Sequence, residues 1–132
     1  MRVCKIDGCD SSDMATRSSM CKRHHREYTR EHYKNNKDAY IKKASVRNKS
    51  VRDEHRKIVI SFLSNNPCVD CGESDTEVLQ FDHRERAEKV AEINRLMTCS
   101  TSKLLEEISK CDVRCANCHM KRTRIQMGWW RH

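Results

Sequence analysis

The sequence predicts a small α+β protein: a mixed strand-and-helix module in the C-terminal half, a long basic helical arm before it, and a short cross-linked finger at the N-terminus. Three observations predict it. Most of the nine cysteines fall into paired spacings, Cys4 with Cys9, Cys21 with His24, Cys68 with Cys71 and Cys115 with Cys118. From Ser11 to Asn66 there is no Gly or Pro, and charged sequence without such breakers reads as helix. Hydrophobic residues make up 36% of the 132, aromatics 5% and charged residues 35%, so the buried core is modest and needs cross-links.

Residues 1–25 hold the finger. Cys4 and Cys9, then Cys21 and His24, supply three thiolates and an imidazole at a spacing suited to a Cys3His zinc site. His25 competes for the fourth position; His24 is favoured because CxxH sets its ring beside the cysteine on the first helical turn. About 25 residues bury too little surface to fold without metal. The alternative is a set of unpaired cysteines in a flexible arm.

Residues 26–66 form the arm, two helices with a joint near Lys34 to Lys37, where Asn35 and Asn36 are weak helix formers. Tyr33, Tyr40, Ala44, Val51, Ile58 and Phe62 make a thin apolar stripe, and Asp38 with Lys42 and Asp53 with Lys57 are spaced for ion pairs along the exposed face. Only Ile58 to Leu63 is apolar enough to pack on the module. Pro67 ends the helix.

Residues 67–127 are the module and 128–132 a tail. Cys68, Cys71, Cys115 and Cys118 form two knuckles whose four thiolates suit one closed, structural zinc ion. Gly72 permits the first knuckle's turn, and Glu77 to Phe81 reads as a strand carrying Asp82 and His83 at its end. A polar loop from Arg84 to Asn94 is expected to contain a second short strand around Val90 to Ile93. Leu104, Leu105 and Ile108 share a helix face that Thr101 or Ser102 would cap. A basic helix follows from about Asn117 to Gln126. In the tail, Gly128, Trp129, Trp130, Arg131 and His132, the tryptophans either pack back on the module or stack on bases. Cys111 reads as a small buried residue and Cys99 as a loop thiol.

The net charge is +8, and it is concentrated: Lys22 to Lys57 carries 13 Lys or Arg against five acids. A field of one sign points to a polyanionic partner, most simply DNA, gripped first through its phosphates; a solvated charged helix is the plainer reading. Lys42, Lys43, Arg47 and Lys49 on the arm, and Lys121, Arg122 and Arg124 on the last helix, are the candidate DNA contacts, with Lys103 and Lys110 as further phosphate contacts. Met1 to Ser12 has no apolar signal core, and Ile58 to Leu63 is too short to cross a bilayer, so a reducing, cytoplasmic setting with no membrane partner and no secretion is expected.

Because four sulfurs saturate a structural ion, Asp82, His83, Asn117 and His119 nearby are left for other chemistry. Cys68, Val69, Asp70, Cys71, Gly72, then Leu79 to His83, then Lys110 to His119 resemble the HNH endonuclease family, most closely its small zinc-clamped phage forms. The likeness covers about residues 60 to 125. It implies a zinc-stabilised ββα-metal hairpin with one catalytic divalent ion, Mg2+ or Mn2+, and other divalent ions also suit a site that includes histidine. Asp82 and His119 would hold that ion, and His83 would take a proton from the attacking water as a DNA phosphodiester is hydrolysed. Neighbours on a regular strand point to opposite faces, so Asp82 and His83 can divide these tasks. His119 could instead serve the zinc. The family's middle Asn, usually about five residues before the second knuckle, is replaced by Lys110 or Cys111; Asn117 either takes over the orienting of His83 or caps the last helix.

The expected activity is therefore metal-dependent DNA hydrolysis, by nicking or by double-strand cleavage, from a monomer or a homodimer. Its rival is a non-catalytic zinc protein that binds nucleic acid.

Overall fold

The computed structural model describes residues 2–129. It is mostly helical with one two-stranded sheet: α1 (Lys22–Asn35), α2 (Lys37–Asn65), β1 (Leu79–His83), α3 (Thr101–Ser109), β2 (Cys111–Cys115) and α4 (Ala116–Met127). Two short 3₁₀ segments, Arg86–Glu88 and Ile93–Thr98, lie between β1 and α3. The chain divides into two compact units within α2, between Val46 and Arg47.

In the first unit the expected joint is present. Asn36 leaves helical geometry, its backbone N–H reaches the carbonyls of His32 and Tyr33, and α2 starts one residue later. Tyr33 and Tyr40 stay about half exposed, with ring centroids 5.7 Å apart, so this part of the stripe forms no core.

In the second unit β1 and β2 run antiparallel, with Leu79 opposite Cys115 and His83 opposite Cys111. The second strand is thus not at Val90 to Ile93, as the sequence suggests, but at Cys111–Cys115. The reason is the pattern: Cys111, Val113 and Cys115 alternate inward, whereas Val90 is 78% exposed and only Ile93 of that run is buried. Asp82 and His83 lie within β1 itself. The cap of α3 is Ser100 rather than Thr101 or Ser102, because Ser100 is the last residue with extended backbone before the helix. Cys115 caps α4 by accepting the Cys118 N–H on its sulfur, so Asn117 is not the cap.

Two apolar clusters fill this unit. Leu63, Leu79 and Val113 pack with Cys68, Cys115 and Cys118; Leu104 and Ile108 of α3 pack with Ile93, Leu96 and Cys111. Val59, Phe62 and Phe81 touch both, with the two phenyl rings 5.8 Å apart. The end of α2 therefore packs as expected, but its contribution begins earlier, at His55. That imidazole is 1% exposed and bonds the Met97 carbonyl oxygen (3.0 Å) and the Thr101 hydroxyl (3.2 Å), tying α2 to the segment before α3. Asp53 pairs with Arg56 at 3.4 Å rather than with Lys57. At the other end, Gly128 takes a left-handed φ of 65° and closes α4 through bonds to Arg124 and Ile125. Trp129 is half exposed; Trp130, Arg131 and His132 lie outside the described residues. Among the described residues, no helix is long and apolar enough to cross a membrane.

Candidate active site and metal centres

Both cysteine clusters assemble. In the first unit, Cys4 Sγ and Cys21 Sγ lie 3.3 and 3.4 Å from His24 Nδ1, and Cys9 Sγ lies 4.0 Å from Cys21 Sγ. His24, not His25, is the fourth member, because Cys21 ends the extended segment and His24 falls one turn into α1. In the second unit Cys68, Cys71, Cys115 and Cys118 converge, with the Cys71 and Cys115 sulfurs 3.7 Å apart. Sulfurs held about 2.3 Å from one tetrahedral ion lie about 3.8 Å apart, so each set fits a single ion.

The strands bring the two knuckles together. The Val69 N–H donates to the Val113 carbonyl (3.0 Å) and the Ala116 N–H to the Val78 carbonyl (3.0 Å), while Gly72, at φ 77°, turns the first knuckle. Burial opposes ionisation of Cys68, but the backbone N–H groups of Cys115, Cys71 and Asp70 outweigh it and bring the thiol to about 6. The Cys115 and Cys71 thiols, with burial behind them, push Cys118 up to about 12. Four such sulfurs ionise together only when a cation offsets their charge.

Beside this clamp, β1 sends Asp82 and His83 to different partners. Asp82, 7% exposed, accepts from Arg114 (3.0 Å) and Arg122 (2.7 Å), and its Oδ1 faces His119 Nε2 at 3.5 Å. His119 Nδ1 donates to Gln80 Oε1 at 2.9 Å, so Nε2 is the nitrogen that faces the carboxylate. Arg114 also binds Asp70 in the first knuckle (2.8 Å) and Asp112 (3.3 Å), so the zinc-type clamp and Asp82 share one ionic network.

On its other side, His83 Nε2 meets Glu107 Oε1 at 2.8 Å. Glu107 is 2% exposed and also accepts from Lys110 (3.0 Å) and from the N–H groups of Val90 (2.8 Å) and Ala91 (3.3 Å). Burial works against its charge, yet the bonds from Lys110, Val90, His83 and Ala91 prevail and hold the carboxyl at about 2. Its anion therefore orients the imidazole and fixes the polar loop. Cys111, pushed up to about 11 chiefly by burial, is a buried neutral thiol, and Cys99 is half-buried at the end of a 3₁₀ segment.

The candidate residues thus separate. Asp82, His83 and His119 gather around β1, but Asn117 is exposed on α4 and has no bond to His83 among the described residues. Arg122 turns inward to Asp82 and to the carbonyls of His83 and Arg84, and Lys110 turns to Glu107. Lys103, Lys121 and Arg124 are exposed, as are Lys42, Lys43, Arg47 and Lys49 along α2. Gln80 and Arg114 lie inside the segments that carry the resemblance but had no role assigned to them, and Glu107 lies outside those segments. The signal for Glu107 was its place among Leu104 and Ile108 on the apolar face of α3.

Asp82 Oδ1 and His119 Nε2 lie 3.5 Å apart, and Oδ1 is already held by Arg122 at 2.7 Å. Comparison of the chain with protein-family models, with curated proteins and with solved structures finds no match.

Proposed function

We propose that the chain is a divalent-metal-dependent endonuclease that hydrolyses DNA phosphodiester bonds, stabilised by two structural zinc ions. The observation that carries this reading is the division of labour on β1: Asp82 converges with His119 while the adjacent His83 is gripped by Glu107. Asp82 and His119 would hold the ion, Mg2+ or Mn2+, which would supply charge stabilisation at the scissile phosphate. Glu107 accepts the Nε2 proton of neutral His83 and leaves Nδ1 as the basic nitrogen. The imidazole takes a proton from the attacking water there, and the buried carboxylate stabilises the cation that forms. Arg122, released from Asp82, and the exposed Lys121 and Arg124 bind phosphate oxygens.

A second reading has an observation of its own. Asp82 and His83 are 7% and 8% exposed and already paired, which suits a structural network in a zinc protein that binds nucleic acid without cutting it.

Supercoiled plasmid incubated with zinc-loaded protein in EDTA, Mg2+ or Mn2+ separates the two. Relaxed or linear DNA is expected only with a divalent ion, and His83→Ala is expected to slow cutting by about two to four orders of magnitude. A plasmid that is shifted on a gel but never cut overturns the nuclease reading.

A further inference from the structure

A groove of about 600 Å³ in the second unit has His119 among its lining residues. Val59, Phe81 and Met97 bring apolar side chains to its lining, Gln80 and Asn94 bring amides, and the exposed Arg52 of α2 brings a cation. From these features we infer that the groove receives an unpaired nucleotide of the polynucleotide strand, so that the protein selects single-stranded or locally unpaired DNA over intact duplex. The inference rests on the proposed polynucleotide substrate but not on its cleavage.

Size and chemistry agree on the occupant. A duplex about 20 Å across presents phosphates and groove edges to a protein, and its stacked bases cannot enter a cleft walled by Val59, Phe81 and Met97. An unpaired base can enter, and its π-face matches the half-buried Phe81, which Phe62 backs at 5.8 Å. The polar groups stand where a base edge needs them. Gln80 spends its oxygen on His119 and keeps its amide N–H groups, while Asn94, exposed, offers both donor and acceptor. Arg52 makes no ion pair among the described residues and is placed for the strand's phosphate. Glu92, the acid in the same lining, is bound by Lys89, which offsets its repulsion of phosphate. Since His119 both lines the groove and faces Asp82, a phosphate beside Asp82 and His119 and a base in the groove belong to neighbouring positions of one strand.

The test measures anisotropy of a labelled oligonucleotide as single strand, as blunt duplex, and as duplex with a one-nucleotide bulge, in Ca2+, with zinc-loaded protein and with Asn94→Trp. Asn94 is exposed, so the indole fills the groove without entering the core. The single strand and the bulge are expected to bind at least about tenfold tighter than the duplex, as one to a few kcal/mol of base stacking implies, and Asn94→Trp is expected to erase that preference while duplex binding stays. Equal affinities in the wild type, or a preference that Asn94→Trp leaves intact, overturn the inference. If Asn94→Trp no longer folds, judged by circular dichroism, Arg52→Ala replaces it and must reduce single-strand affinity more than duplex affinity. Single-strand preference without plasmid cutting sinks the nuclease reading and keeps the groove; no binding of any oligonucleotide sinks both.

Discussion

At the scale of the residue, Glu107 decides most. One carboxylate, 2% exposed, holds His83, Lys110 and two backbone N–H groups, so its removal takes the acceptor from the buried His83 and from three part-buried bonds at once. Glu107→Ala is expected to lower unfolding free energy by at least about 2 kcal/mol in denaturant titrations. Glu107→Gln is expected to keep the shape and lose the charge. Its stability gap from the wild type is expected to be full at pH 6 and to narrow as pH falls below the ordinary carboxyl value of 4.5 toward about 2, because a depressed carboxyl stabilises only while ionised. A gap that stays constant to pH 3 would show that charge plays no part. Nothing in the sequence around Glu107 distinguished it from Glu106, its exposed neighbour, except the helical phase of Leu104 and Ile108.

Elements divide by which face finds a partner. Helix α2 is continuous from Lys37 to Asn65, yet its chemistry changes along its length. Lys42, Lys43, Arg47 and Lys49 are exposed, whereas His55, Val59, Phe62 and Leu63 turn toward the clusters of the second unit. On the proposed DNA-binding reading, neutral replacements at the four basic positions are expected to weaken DNA binding and flatten its salt dependence by up to about four phosphate contacts. An unchanged salt slope would mean that the arm is not a DNA-binding surface. The helices and their joint were legible because periodicity and breakers are local properties. β2 was not, since five residues alternating cysteine, charge and valine resemble a metal knuckle's approach as much as a strand, and only pairing with β1 distinguishes them.

At the scale of the molecule, two cysteine-rich clusters stand in place of a large core. On the zinc reading, elemental analysis is expected to find two zinc ions per chain, and full chelation to unfold it by circular dichroism, because metal binding supplies folding free energy in so small a protein. One ion or none, or an unchanged spectrum after complete zinc removal, would contradict that assignment.

By itself the sequence determined the α+β class, the helical joint near Asn36, and the membership of both cysteine clusters down to His24. These follow from composition, local periodicity and ligand spacing, all carried by short stretches of chain. Only the tertiary structure decided that Glu107 rather than Asn117 holds His83, that Arg114 and Arg122 pair with Asp82, that His55 is buried, and that a groove opens beside His119. Those contacts join residues far apart in the chain. Their partners are selected by which faces meet when β1 and β2 close, and no local pattern encodes that meeting.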